Sequence, residues 1–297
     1  MNTSTRNPAM SSLSPPAALP ASLSDEALAR ESEVAQAAIR RRRSMIIGLR
    51  LVVLVVVLGG WELAARTKVI DPFFYSMPSM IWDQIVEWMR DGTSQGPLWT
   101  QVLVTLEETV IGFLIGSVAG VVCGILLGRN KLLSDVFSLY IQIANSIPRV
   151  VLGSIFVIAL GLGMASKVAL AVVMVFFVVF GNAFQGVREA DKYMIANAQI
   201  LGASPRQLTM SVVIPSAMSW ILASLHVSFG FALVGAVVGE FLGAKEGIGL
   251  LISTAQGAFN ASGVFAAMIV LAVVALAADF LLSRVEKRLL KWRPATF

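Results

Sequence analysis

Apolar residues in this chain come in runs longer than any ordinary strand and without the polar face that a soluble helix presents. Residues 168–180 carry no polar side chain, residues 110–127 only Ser117 and Cys123, and residues 264–282 only Asp279. A helix needs about 20 such residues to cross a hydrocarbon core of about 30 Å. Hydropathy therefore predicts six spans, at roughly 45–64, 102–128, 134–160, 166–187, 210–241 and 262–284.

Finer patterns sit on these spans. Gly112, Gly116, Gly120, Gly124 and Gly128 put a glycine at every fourth position of the second span. Such a stripe lets another helix approach to backbone contact, which is what joins helices where lipid offers no hydrophobic drive. It would equally suit a contact that slides during gating. Pro148 interrupts the third span and predicts a kink, because it removes one helical hydrogen bond and its ring clashes with the preceding turn. Between the first two spans, Pro78 opens a short helix running to Arg90, with Ile81, Ile85 and Trp88 on one face. That helix is expected either along the outer membrane surface or against its own bundle.

Composition agrees with lipid as the solvent: 57% of the 297 residues are hydrophobic and 14% charged, with mean hydropathy +0.79, outside the usual globular range. The net charge of +5 would suit nucleic acid, but the cations cluster at span ends, where topology explains them. No nucleic-acid partner is expected. With the N-terminus inside, sixteen of the 23 basic residues fall in cytoplasmic segments and five, Lys167 among them, outside. Arg40, Arg41, Arg42 and Arg43 directly precede the first span, so both termini are expected in the cytoplasm. Residues 1–43 begin rich in Ser, Pro and Ala and are expected to form a disordered cytoplasmic tail, leaving 44–297 as the membrane domain. One cysteine, Cys123, and one histidine, His226, cannot build a disulfide, a metal centre or a clustered catalytic site. The chain is expected to catalyse no reaction.

The connection between the fourth and fifth spans, about 186–215, is long for a bundle and needs a purpose. Met194, Ile195, Ala198, Ile200 and Leu201 predict a mildly amphipathic turn or two of helix, ended by Gly202 as a left-handed C-cap. Ser204, Pro205 and Gln207 then open a second helix as N-cap, first helical residue and capping-box partner. The spacing Ala196-Asn197-Ala198, three residues, Gly202, nine residues, Val212-Val213-Ile214-Pro215 resembles the E-A-A-x-x-x-G…I-x-L-P loop of permeases of ATP-binding-cassette (ABC) importers. The glycine and proline are identical; Ala196 stands where the family has Glu.

Further pieces resemble the branch that imports nitrate, sulfonates and taurine: Met77-Pro78-Ser79, Gly112-Phe113, Ile147-Pro148, Gly161-Leu162-Gly163, Leu201-Gly202-Ala203-Ser204, Glu240 with Gly247-Ile248-Gly249, and a basic tail. The resemblance implies an all-α integral membrane protein, a six-helix type I ABC importer permease bundle with a cytoplasmic coupling-helix loop, in the inner membrane. It also implies partners: a second permease copy, two cytoplasmic ABC ATPase subunits that hold ATP and Mg, a periplasmic substrate-binding protein, and surrounding lipid. No cofactor is expected in this chain, which has no G-x-x-x-x-G-K-[ST] phosphate loop.

Ala196, Asn197, Ala198, Ile200, Leu201, Gly202, Ala203, Leu208 and Pro215 are then the residues of ATPase coupling. Along the pathway the candidates are Pro148, Arg149 and Glu240. Arg149 is placed to contact an anionic substrate, with a structural ion pair or a snorkelling position as alternatives. Glu240 is structural or gating. His226 is a packing residue or a proton relay; Glu107 and Glu108 lie at an outer end within reach of water. A secondary transporter or channel, driven without an ATPase, is the competing function.

Overall fold

The computed structural model describes residues 21–190 and 192–289, with side chains over 39–190 and 193–284. The described residues are helical or connecting; the only β-type pairing among them is an isolated bridge between Thr93 and Gly96. They fall into two units. Helix α1 (Ala21–Arg66) makes up the described part of the first, Met1–Trp61, and its last turn opens the second, Glu62–Phe297. The part of α1 over Ile39–Arg66 is long and apolar enough to cross a membrane. Helix α1 begins at Ala21, within the stretch read from sequence as tail; the Ala, Glu, Gln and Arg content of 25–43 favours helix there. Residues 1–20 lie outside the described residues.

The second unit continues with α2 (Pro72–Tyr75), α3 (Pro78–Arg90), α4 (Leu98–Arg129), α5 (Lys131–Ser146), α6 (Leu152–Leu160), α7 (Met164–Arg188), α8 (Lys192–Ile200), α9 (Pro205–Leu208), α10 (Ile214–Leu242), α11 (Ile248–Gly257) and α12 (Ala261–Leu289). Its centre is the three-helix packing of α4, α7 and α10, and the glycine stripe explains how closely they meet. A Cβ on Gly120 would lie 2.9 Å from Val179 Cβ, and one on Gly124 2.6 Å from Ala183 Cβ, both on α7. Gly112 abuts Ala171 in the same way. Helix α10 repeats the device from the other side, Gly235 meeting the Ala171 backbone. The stripe therefore packs; every one of its five glycines faces α7.

Helix α3 spans the residues expected of it. Its missing side-chain cap is supplied from α1: Glu62 accepts from Ser79 N at 3.1 Å and Ser79 Oγ at 2.8 Å, a carboxyl group placed at a helix N-terminus. Ile81 is buried and Trp88 packs on the cluster of Ile248, Leu251 and Ala267, so this face serves the bundle. Trp82 and Met89 remain exposed.

Two expectations about the spans change. Among the described residues five helices are long and apolar enough to cross singly, and a sixth crossing requires α5 together with the segment Arg149–Leu160, bent by 74° at the break. Pro148 does more than kink this segment: it ends α5, and a 3-10 turn, Arg149–Val151, re-aims the chain into α6. Helix α11 enters as a short apolar element of its own, with Ile248 and Leu251 buried.

Candidate functional site

The loop after α7 folds as helix, glycine turn, helix. Gly202 has φ +81°, and the turn closes with Ala203 N donating to Ala198 O at 3.0 Å and Gly202 N donating to Gln199 O at 2.9 Å. These two bonds form the glycine-dependent C-terminal motif that satisfies a helix's last carbonyls. Two residues later Ser204 caps α9, and its own N–H reaches Gln207 Oε1 at 2.8 Å. Both ends of the elbow are thereby fixed by backbone geometry. Ile195 anchors it to the spans, against Ala183, Val187, Val213, Ala217 and Ile221. Ile200 and Leu201 point away from this contact, 81% and 87% exposed.

Pro215 explains the junction with the fifth span. Lacking an N–H, it forces the preceding turn to widen into a π-type turn, Thr209–Val213, in which Ile214 N bonds to Thr209 O five residues back. Ser216 Oγ donates to Val212 O at 2.8 Å, giving that carbonyl a partner. Pro205–Leu242 is thus one continuous run; the second helix of the loop is the first turn of the span itself.

At the far end of α10 lies a buried polar node. Glu240 is fully buried. One carboxyl oxygen accepts from Thr105 Oγ1 at 2.7 Å and the other from Gly249 N at 2.6 Å. Ile248 N donates to Thr105 Oγ1 at 2.9 Å, and Gly247 N donates to Gln101 Oε1 at 2.7 Å. Three consecutive N–H groups at the start of α11 are satisfied by side chains of α4 and α10, which is how a helix N-terminus can be buried without leaving donors unpaired. Gly247, at φ +117°, has no room for a Cβ because the Glu240 carboxyl group occupies it. Glu108 and Lys167 flank the node. Lys167 Nζ donates to Leu162 O at 2.6 Å and Gly163 O at 3.1 Å, while Glu108 Oε2 has no partner.

Arg149 opens the 3-10 turn at the α5–α6 break. Its Nη2 donates to Asn145 Oδ1 at 2.7 Å, its guanidinium lies 5.0 Å from the centre of the Phe177 ring, and its buried Nε has no acceptor.

Set beside known proteins, residues 116–291, more than half of the chain, match the family of the binding-protein-dependent transport system inner membrane component. The chain belongs to this family. It is 30% identical over 233 residues to a formylaminopyrimidine transport permease of Halalkalibacterium halodurans, covering 78% of this chain and 91% of that relative. It is 25% identical over 247 residues to the taurine transport system permease of Escherichia coli K12, covering 83% and 90%. The inward-facing structure of the MetNI methionine ABC transporter aligns with a TM-score of 0.56 at 20% identity, over 64% of this chain and 96% of that one, a likeness of fold. This is a multi-pass permease of an ABC importer, in the nitrate, sulfonate and taurine branch, working with an ATPase and a binding protein. The family transports and does not catalyse, and a secondary transporter or channel is set aside.

On this permease the expected coupling residues lie together on the elbow. Ala196, Asn197, Ile200, Leu201 and Gly202 are exposed; Ala198, Ala203 and Leu208 are half-buried, and Pro215 lies within α10. Pro148 and Arg149 share the α5–α6 break, and Glu240 is the centre of the node. Two placements are corrected. Glu108 is 3% exposed and Lys167 1%; neither stands in water or in an outer loop, because both face the α4–α7–α10 packing. Gln101 and Thr105 are partners that sequence reading missed. Gln101, Thr105, Glu108 and Thr109 follow helical spacing straight into the glycine stripe, and that one-face continuity was the available signal.

Proposed function

We propose that the permease pairs with a second copy of itself, with both termini cytoplasmic, and passes a small oxyanion such as a sulfonate, taurine or nitrate inward. The elbow over 196–208 docks in a groove of the partner ATPase, which carries the ATP and Mg. Closure of the ATPase pair pulls on the elbow, and the continuous run from Pro205 into α10 turns that pull into a change of access in the spans. Glu240 holds α11 to α4 and α10, so movement of α10 carries this outer element with it.

The observation behind the docking surface is the exposure of Ile200 and Leu201 on an elbow whose backbone is locked on both sides. Large apolar side chains displayed on a rigid turn are costly unless a partner covers them. Arg149 is the proposed contact for the substrate: its Nε–H is buried without an acceptor, and a guanidinium can hold an oxyanion through two parallel hydrogen bonds.

Ile200→Asp and Leu201→Asp test the docking. Neither side chain supports the fold, so both variants insert and purify, and both lose the ATPase on co-purification. Retention of the ATPase by the double variant at the wild-type level refutes the surface.

A further inference from the structure

Beside the elbow a cleft of about 790 Å³ has Gln199, Ala203 and Leu208 on one wall and the ends of α4, α5 and α7 on the other. Three cations reach it, Arg129, Lys131 and Arg188, and among the described residues no Asp or Glu lines it. Among the described residues none of the three cations forms an ion pair. At its base Ser134 is 3% exposed, and its Oγ accepts from Arg188 Nη1 at 3.3 Å. A hydroxyl that accepts still has its own proton to give, and no acceptor for it occurs among the described residues. The guanidinium of Arg188 is held over the Phe184 ring, 5.5 Å from its centre, and the first turn of α5 beside Lys131 is fixed by Asn130 Oδ1, which accepts from Leu132 N at 3.0 Å.

We propose that this cleft binds a phosphate-type oxyanion, carried by a phospholipid headgroup or free in solution, and that the bound anion clamps the elbow to the span ends. Three converging cations and one buried hydroxyl donor supply charge-assisted hydrogen bonds to several oxygens at once. The cleft opens where the spans end, the depth at which lipid phosphates lie. Because its walls belong to the elbow on one side and the bundle on the other, occupancy would stiffen the element that meets the ATPase. This is separate from the substrate pathway and does not depend on what is transported.

The test is thermal unfolding of the full-length chain in neutral detergent, titrated with phosphatidylglycerol, phosphatidylcholine or inorganic phosphate. Wild type is expected to be stabilised by phosphatidylglycerol, by inorganic phosphate, or by both, and not by phosphatidylcholine; which probe works identifies the source. The triple variant Arg129→Gln/Lys131→Gln/Arg188→Gln should need at least about tenfold more ligand. A control with the same charge removed elsewhere, Lys68→Gln/Arg90→Gln/Lys245→Gln, should titrate as wild type. If the triple variant does not fold, Lys131→Gln alone should show part of the shift. Equal response of the triple variant and wild type overturns the proposal. So does the absence of any response in wild type, and in that case loss of the ATPase from the triple variant would mark the cleft as a seat for an acidic protein segment.

Discussion

Glu240 shows what one side chain can organise. Its two oxygens accept from Thr105 and from the α11 backbone, with no water-accessible surface to substitute for either bond. Glu240→Ala strands the buried Gly249 N–H, at about 1–3 kcal/mol, while Thr105 Oγ1 keeps Gln101 O as an acceptor at 3.1 Å; with the cavity it leaves, the variant should lose about 2–4 kcal/mol in reversible unfolding. Glu107→Ala, one residue before Glu108 and exposed, should change stability by less than about 0.5 kcal/mol. Resemblance pointed to Glu240 and to Gly247-Ile248-Gly249, but the bonds between them were not legible. Thr105 meets Glu240 across 135 residues of sequence, and hydropathy treats polar residues near a span end as facing water when packing has buried them. Arg149 was legible as a cation at membrane depth, whereas its Asn145 and Phe177 contacts depend on the bend between α5 and α6.

Elements were easier to read than their junctions. The glycine stripe, the helix over Pro78–Arg90 and the Gly202 turn follow from spacing and capping chemistry that act within a few residues, and each is present. The 74° break was not legible as more than a kink: residues on both sides are apolar, so a hydropathy window runs through it unchanged. Helix α11 escaped because a largely apolar helix of ten residues is too short to register as a span. The stripe makes a sharp prediction. Gly120→Val drives a branched side chain into Val179 and the α7 backbone, and should cost about 3 kcal/mol or more. Val118→Ile, on the exposed face of α4, should be nearly neutral when both are compared by thermal unfolding.

For the molecule as a whole, the working parts sit at opposite ends of the run Pro205–Leu242: the elbow at its start and the Glu240 node at its last turns. The helical run Pro205–Leu242 links them; its last 29 residues, Ile214–Leu242, are about 44 Å long, and the π-type turn at Thr209–Val213 is the one joint through which displacement at the elbow passes. Exposed apolar side chains along α5 and α6, including Leu139, Ile143 and Ile158, fit a surface meant for lipid and for the proposed second copy. With the proposed docking, the permease is a passive gate whose energy arrives through the elbow. Solute uptake into vesicles, measured with the binding protein present and with or without the ATPase, tests this directly. Uptake should require both the ATPase and ATP; uptake of comparable rate by the permease and binding protein alone would contradict it.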